Sequence, residues 1–535
     1  MLTPRPKSQS GQLKRDIGLV GFCFVAVSGM LGAGWLFVPM LASQQAGPAA
    51  LISWAIGGVM ILLIVLTFAE VSSLLPVAGG FVRLPHFSHG NVVSTVMGFT
   101  AWVGYCLNTP IATAILLEYA GHNFPWLFVG NVSDNVLSPT GLAAAAVLML
   151  LMVLINIVGV RALAQCNLAI TWFKILIPAM IGVAIIAAQF NADNFAGSQG
   201  FAPFGVEGIL SGVATGGVMF SLLGFRHAID LAGEVRNPQV TIPWALTLAV
   251  VICILIYGLV QVAFIGALPA ADFAGGWDKL KFSGQLGPFA DLAAALGLIW
   301  VGTMIYGGAI IAPFGAALVS TGSTARLALA LSRNGFLYPF FSFLSQRGVP
   351  VRALVLNYIL GMIFLILLPI DQMVTLLTAT LVLSLGVGPL SLHTLRRQLP
   401  DHTRGFTLPF VSVSAPVAFI FTVLILYWAG WQTMRHMAIT LIGGAVFFAV
   451  RTLGNRALLR DLQYRQAGWL VPLLVGIAII SHLGNFGGGR GVIPFGWDLL
   501  CCAVLALGVY RYAMRCGLPP ERVQRYVVEE FAEER

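Results

Sequence analysis

Two glycine-rich stretches interrupt long apolar runs of this sequence, and their backbone could bind a ligand. Residues 28–35 read SGMLGAGW, with Pro39 a little beyond, and residues 216–224 read GGVMFSLLG. Because glycine inside a helix costs about 1 kcal/mol relative to alanine, both stretches are expected to unwind. A half-helix that ends at such a break offers free N–H groups to an anion or free carbonyl groups to a cation.

Two cationic side chains, Lys174 and Arg226, also lie within or beside apolar runs. An arginine inside a spanning helix costs about 2.5–3.5 kcal/mol on insertion scales, so it normally has a partner or a wet cavity. The planar guanidinium of Arg226 suits a bidentate contact with a carboxylate. That carboxylate belongs either to a bound ligand, or to Asp230 or Glu234 of this chain, and the sequence leaves these alternatives open.

The elements that hold these residues are predicted to be membrane-spanning helices. Of the 535 residues, 58% are hydrophobic and only 9% are charged, whereas a soluble chain carries about 25% charged residues. A spanning helix needs about 20 largely apolar residues, and the apolar runs predict about fourteen such spans. Their expected centres lie near Gly32, Val59, Gly104, Met149, Pro178, Met219, Ile254, Gly308, Met362, Ser384, Phe421, Gly444, Gly476 and Val504.

The net charge of +9 is a signal of membrane topology and does not predict a nucleic-acid partner. Most Lys and Arg residues lie in alternate connections, for example Arg83, Arg236, Arg326 and Arg396. By the positive-inside rule this basic side faces the cytoplasm, so both termini are expected there. The opposite connections hold only Lys279, Lys281, Arg435 and Arg490.

The sequence predicts neither an enzyme nor a channel. The seven cysteines form no metal-binding pair, and no nucleophile, zinc-protease or phosphate-loop motif has a supporting context. No cofactor or metal is predicted. A channel would need a continuous polar lining or a filter, and neither is visible. Glu70 and Glu234 lie near the basic ends of spans and are expected to cap helices or pair with arginines.

The two glycine breaks lie five spans apart, at matching positions of two five-helix units. An odd number of spans inverts the second unit relative to the first, and paired broken helices in inverted repeats indicate the central site of a transporter. The alternative is that the glycines only allow close packing of helices.

Several motifs, in order along the chain, resemble the amino acid–polyamine–organocation transporter superfamily. Residues 29–39, GMLGAGWLFVP, resemble its first-span signature, and FAEVSSLLPVAGGF at 68–81 resembles the end of its second span. The sixth-span exit of the family is similar to residues 224–243, which contain GF, GEVRNP and IP. Its eighth-span exit is similar to residues 323–335, which contain STAR and RNG. The spans from about Trp469 resemble the fourteen-span branch associated with aspartate and glutamate transport.

This resemblance implies an all-α fold with an inverted 5+5 helix core, discontinuous first and sixth spans, and additional C-terminal spans. The expected organisation is an N-terminal tail at 1–16, a ten-span core at 17–395, additional spans at 396–515 and a cytoplasmic tail at 516–535. The expected substrate-binding residues include Arg226, where this sequence departs from the family pattern. The full set is Met30, Gly32, Ala33, Gly34, Phe220, Leu223, Gly224 and Arg226.

In this family the first-span glycine motif binds the substrate carboxylate through its backbone, which assigns that role to Gly32, Ala33 and Gly34. Ala33 stands where the family often has serine, so a hydroxyl contact is absent. The carbonyl groups of Met30, Phe220 and Leu223 would receive the substrate ammonium.

The family usually has glutamate at the position of Arg226, and we expect this arginine to bind the side-chain carboxylate of aspartate or glutamate. In proton-coupled members a lysine at the position of Lys174 replaces a sodium ion, and the alternative is a purely structural ammonium.

The resemblance therefore predicts a secondary active amino-acid transporter in the cell membrane, with membrane lipid around it and the proton as coupling ion. The alternatives are an exchanger, a transporter of another amino acid or amine, and a nutrient sensor that binds without transport.

Overall fold

The computed structural model describes residues 13–32, 34–121, 123–130, 136–196, 200–280, 282, 287–453, 462–486 and 488–533. Within these ranges the regular elements are helices, and β-pairing is limited to the isolated bridges Ile17–Val235 and Phe128–Leu137. The predicted all-α membrane architecture is confirmed.

The first broken span consists of two helices, and it is followed by four further spans and one short helix. These are α1 (Leu19–Met30) and α2 (Gly34–Ala46), then α3 (Ala50–Leu74), the short α4 (Gly80–His89), α5 (Asn91–Gly121), α6 (Pro139–Val158) and α7 (Val160–Ala188).

The sixth span is divided into three helices, and the spans that follow complete the ten-span region. These are α8 (Gly205–Ala214), α9 (Val218–Ser221) and α10 (Arg226–Asp230), then α11 (Pro238–Ala267), the short α12 (Ala270–Phe273) and α13 (Pro288–Ala295), α14 (Ile299–Arg333), α15 (Val351–Leu367), α16 (Ile370–Leu383) and α17 (Val387–Gln398).

Four more spans and one terminal helix lie C-terminal to these. They are α18 (Val411–Trp428), α19 (Gly430–Leu453), α20 (Leu470–Leu483), α21 (Trp497–Arg515) and the terminal α22 (Pro520–Glu533). Helix α17 continues three residues past the predicted boundary at 395.

Twelve helical segments of the described chain are long and apolar enough to cross a membrane, and α1 and α15 are shorter apolar helices. One of the twelve segments, Gly34–Leu74, contains both α2 and α3. When α1 and α2 are counted as one broken span, and α3 and α15 as a span each, the described residues provide fourteen segments that could cross a membrane, which agrees with the sequence prediction of about fourteen.

The broken spans lie inside the bundle. Helix α1 packs against α7, α11 and α14, and also against the second half of the sixth span. By contrast, α6 and α19 expose large apolar side chains such as Leu154 and Ile439. Exposed apolar side chains of this kind can face lipid. The glycine breaks, in contrast, are surrounded by other helices, and unpaired backbone at membrane depth is tolerated only where protein or a water-filled cavity surrounds it.

Candidate functional site

The first span is interrupted as the glycine pattern predicts. Helix α1 ends at Met30 and α2 begins at Gly34. A Cβ atom built on Gly32 would meet no heavy atom within 4 Å, so this glycine borders open space. The first N–H groups of α2 have no partner within their own helix, so they can donate to an anion beside Gly32. Ala33, predicted to share this role, lies outside the described residues.

The second break lies in the sixth span. Helix α8 ends at Ala214, Gly217 takes a left-handed backbone conformation with φ +85°, and only the single turn of α9 follows before a 3₁₀ turn at Leu223–Phe225. A positive φ is strained for residues with a side chain, so Gly217 permits this turn. Phe220 lies in α9 and is half-buried.

The two breaks touch each other at Gly29 and Gly224. A Cβ atom on Gly29 would lie 3.0 Å from the carbonyl carbon of Gly224 and 3.0 Å from Cδ2 of His227. A Cβ atom on Gly224 would in turn overlap the backbone of Gly29 and Met30. Both residues must therefore be glycine for the half-helices to come this close.

The carbonyl groups freed by the first break already accept hydrogen bonds. The ammonium of Lys174 donates to the carbonyl oxygen of Ser28 at 2.6 Å and to its hydroxyl oxygen at 3.1 Å. The Tyr257 hydroxyl donates to the carbonyl oxygen of Met30 at 2.9 Å. Lys174 is buried. It thus places a cation at the carbonyl end of α1, where the helix dipole favours positive charge.

Arg226 is buried at the start of α10 and forms hydrogen bonds to two carbonyl groups. Its Nε donates to the carbonyl oxygen of Leu223 at 2.9 Å, and a terminal nitrogen donates to that of Leu381 at 3.1 Å. Its guanidinium carbon lies 5.8 Å from the ring centre of Tyr105. No carboxylate oxygen of the described residues comes within ion-pair distance of it.

One of the two intraprotein partners proposed for Arg226 is engaged elsewhere. Glu234 forms a bidentate pair with Arg326, with Nε–Oε1 and NH2–Oε2 distances of 2.6 and 3.0 Å. Both side chains are 1% exposed. Glu234 is therefore committed to Arg326, and its predicted pairing with an arginine is confirmed.

Glu70 pairs in the same way at the basic end of the bundle, the end where α3 and α17 finish. Both of its carboxylate oxygens accept from Arg396, at 2.8 and 2.6 Å. One of them also accepts the backbone N–H of Leu408. Glu70 is buried and Arg396 is partly exposed, so this pair joins α3 to α17 at the basic end.

The opposite end of the bundle is open. A cavity of about 480 Å³ lies there, and its lining includes Gln44, Glu207, Ser211 and Asp278. Thr215, one helical turn beyond Ser211 on the same face of α8, is exposed. Thr215 lies two residues before Gly217 of the second break.

Comparison with known proteins identifies the family. The amino acid permease family model matches residues 17–450. This chain belongs to that family. It is similar to the glutamate/serine transporter AimA of Bacillus subtilis, with 36% identity over 95% of both chains. It is also similar to the aspartate-proton symporter of the same organism, with 33% identity over 96% of this chain and 98% of that protein.

A more distant relative is the branched-chain amino acid permease BcaP of Bacillus subtilis, 23% identical over 82% of this chain. The family membership makes this chain a multi-pass membrane permease, in agreement with its apolar helices.

In this permease the sequence reasoning missed a polar cluster next to Arg226. The side-chain amide of Asn108 and Nε2 of His227 are 3.2 Å apart, and Nδ1 of His227 lies 2.7 Å from the hydroxyl oxygen of Ser323. That hydroxyl also donates to the carbonyl oxygen of Ser320 at 3.1 Å. The available signal was a polar residue within each of three spans.

Proposed function

We propose that this permease is a secondary active transporter that carries amino acids across the cell membrane with protons, and that it prefers aspartate or glutamate. The observation that carries the proposal is a buried guanidinium, Arg226, beside two touching half-helix ends and without a carboxylate partner among the described residues. The names of the two similar Bacillus proteins support the same substrate class and proton coupling.

The backbone at the first break supports binding of the amino-acid part of the substrate. The N-terminus of α2 and the open space at Gly32 offer N–H groups to the α-carboxylate. The carbonyl group of Met30 accepts a hydrogen bond from the Tyr257 hydroxyl, whereas that of Leu223 accepts both Nε and the backbone N–H of Arg226. A carbonyl oxygen has two lone pairs, so the carbonyl of Met30 is the better candidate to receive the substrate ammonium.

The charge of Arg226 supports a preference for acidic side chains. Each carbonyl that it contacts is a neutral acceptor, and a substrate carboxylate would form the stronger, charge-assisted bond. A neutral or basic side chain offers Arg226 no such bond. The preference for aspartate and glutamate follows from that difference.

Lys174 supports proton coupling. Its ammonium lies at the carbonyl end of α1, 2.6 Å from the Ser28 oxygen, so loss of its proton would remove a donor from the first break. A buried lysine can exchange its proton near neutral pH, which links the proton to the geometry of the substrate site. The basic side of the bundle and both termini would face the cytoplasm.

Uptake by purified protein in liposomes tests this function. An inward proton gradient should drive accumulation of labelled glutamate and aspartate without sodium, and a protonophore should abolish it. A strict sodium requirement would overturn the coupling ion. Uptake only into liposomes preloaded with amino acid would show an exchanger, and binding without any uptake would show a sensor.

Substitution of Arg226 tests the substrate preference in the same assay. Arg226→Glu should abolish glutamate uptake, because two carboxylates would then face each other. Arg490→Glu changes an exposed arginine of the described chain in the same way and should leave uptake unchanged. Unchanged selectivity for acidic amino acids in Arg226→Glu would remove the role of Arg226.

A further inference from the structure

Asp230, at the end of α10, is a buried carboxyl group that the site described above does not use. Its side chain is 0% exposed. Oδ1 accepts the backbone N–H of Phe81 at 3.3 Å, while Oδ2 has no hydrogen-bond partner among the described residues. Burying a charged oxygen without a partner costs several kcal/mol. An ionised Asp230 therefore needs a nearby positive charge to compensate it.

Three charged or titratable side chains face Asp230 from the elements around it. They are Tyr105 of α5, Arg226 of α10 and Arg326 of α14. Arg326 is already held by both oxygens of Glu234. The hydroxyl of Tyr105 faces the carboxyl of Asp230 as a potential donor, without a well-formed hydrogen bond, and has no other partner in the part of the chain that is described. Of the two cations, Arg226 is therefore the one that lacks a carboxylate of its own.

The other elements packed against α10 add no further counter-charge. Helix α1 contains no charged residue, and its contact with this region is the backbone of Gly29. Helix α4 presents the Phe81 N–H, while its Arg83 contacts Glu530 and Asn334. His227, the neighbour of Arg226, forms hydrogen bonds with Asn108 and Ser323.

Arg226 and Asp230 are one helical turn apart and together carry no net charge when both are ionised. That balance holds only while no other anion neutralises Arg226. If a substrate carboxylate bound Arg226, an ionised Asp230 would be left in a dry interior without a compensating cation. The lowest-energy response is protonation, in which the carboxylate takes up one proton from solution and becomes a neutral acid.

We propose that Asp230 is a second proton-binding residue of this permease, and that it is protonated when the carboxylate of an acidic substrate neutralises Arg226. The inference rests on the proposed function and deepens it, since it makes proton uptake depend on the substrate. Glutamate and aspartate bring a proton to Asp230. An amino acid without a side-chain carboxylate, such as serine, does not.

Calorimetry on the purified full-length protein tests this directly. Glutamate binding is measured in buffers of different ionisation enthalpy, which gives the number of protons taken up per bound substrate. The variant is Asp230→Asn, which keeps an oxygen for the Phe81 N–H but cannot bind the proton. The control is Asp193→Asn, which changes an exposed aspartate outside the spans.

The expected result is that Asp230→Asn binds glutamate with about one proton fewer than the wild-type protein, while Asp193→Asn matches the wild type. With serine in place of glutamate, any ligand bound should bring the same proton count in Asp230→Asn and wild type. An unchanged proton count for glutamate in Asp230→Asn would overturn the role of Asp230. Absence of acidic amino-acid binding by the wild type would instead contradict the proposed function.

Infrared difference spectroscopy on the wild-type protein gives a second test that does not depend on a folded variant. Addition of ¹³C-labelled glutamate should produce the carbonyl band of a neutral, unlabelled carboxylic acid, and addition of serine should not. The isotope separates the protein carboxyl from the ligand. Absence of that band with glutamate bound would also overturn the proposal.

Discussion

At the level of single residues, Lys174 and Arg226 are the buried cations beside the two breaks, and the sequence indicates both of them. A charged residue inside an apolar run can be recognised from the sequence. Because a charge is costly in lipid, such a residue is expected to have a partner or a function. Their partners are not visible. Lys174 donates to Ser28, which is 146 residues away, and Arg226 donates to Leu381, which is 155 residues away.

The first prediction at this scale concerns Lys174. In Lys174→Met the ammonium is lost while an apolar side chain fills its place. Because a hydrogen bond to a charged group contributes about 1.5–3 kcal/mol, gradient-driven glutamate accumulation should fall about tenfold or more. Exchange of glutamate at equal concentrations on both sides should persist, since it needs no proton gradient. Uptake into liposomes under both conditions is the measurement.

The control is Lys279→Met, which changes an exposed lysine of a connection between spans. It should transport like the wild type. A purely structural role for Lys174 would reduce accumulation and exchange together, and full accumulation by Lys174→Met would contradict any coupling role.

At the level of elements, the two breaks are predictable because glycine is a local signal. Both glycine clusters do interrupt helices, at Met30–Gly34 and between Ala214 and Arg226. The groups that donate hydrogen bonds to the freed carbonyl oxygens are distant in sequence. Tyr257 reaches Met30 across 227 residues of sequence, and only the packing of α11 against α1 brings them together.

The second prediction concerns the contact between the breaks. Gly29→Ala and Gly224→Ala should each abolish transport, because the added methyl group would overlap backbone of the facing half-helix, which cannot move aside as a side chain can. Uptake and the melting temperature Tm are the measurements. Both should fall in each variant.

The matched control is Gly258→Ala in α11. A Cβ atom there meets nothing within 4 Å, and alanine favours a helix by about 1 kcal/mol over glycine. This variant should transport normally and be as stable as the wild type or slightly more so. Normal transport by Gly224→Ala would show that the half-helices are not in contact.

At the level of the whole molecule, ion pairs join the spans at the basic end, while a cavity opens at the opposite end. The pairing of Glu70 and Glu234 with arginines follows from acidic residues placed near the basic ends of spans. The contact between Arg83 and Glu530 of α22 was not predicted. The last twenty residues have no long apolar run, so the sequence shows only a tail, whereas α22 packs against α4 and α17.

The third prediction concerns the Glu234–Arg326 pair. Glu234→Gln leaves the buried guanidinium opposite a neutral amide, and loss of one partner of a buried pair costs about 3–5 kcal/mol. We expect a lower Tm and slower uptake. Exchanging the two charges in the double variant Glu234→Arg, Arg326→Glu should recover part of the stability. The measurement is the Tm in detergent of the wild type, Glu234→Gln and the double variant. The wild type should have the highest of the three values.

Asp16 and Arg236 provide the control, since they form a pair with side chains 32% and 59% exposed. Exposed pairs contribute about 0–1 kcal/mol, so Asp16→Asn should change Tm little. Equal losses in Asp16→Asn and Glu234→Gln would contradict a stabilising role for the buried pair.

The central claim is that the breaks and Arg226 together form a site for an acidic amino acid, and a thermal-shift screen of the purified protein against all amino acids tests it most directly. A ligand present at 100 times its Kd stabilises the folded state by about 2.7 kcal/mol. Glutamate and aspartate should raise Tm more than any neutral or basic amino acid. Arg226→Gln should lose that preference while Arg490→Gln keeps it. Equal or greater stabilisation of the wild type by leucine or arginine would contradict the account.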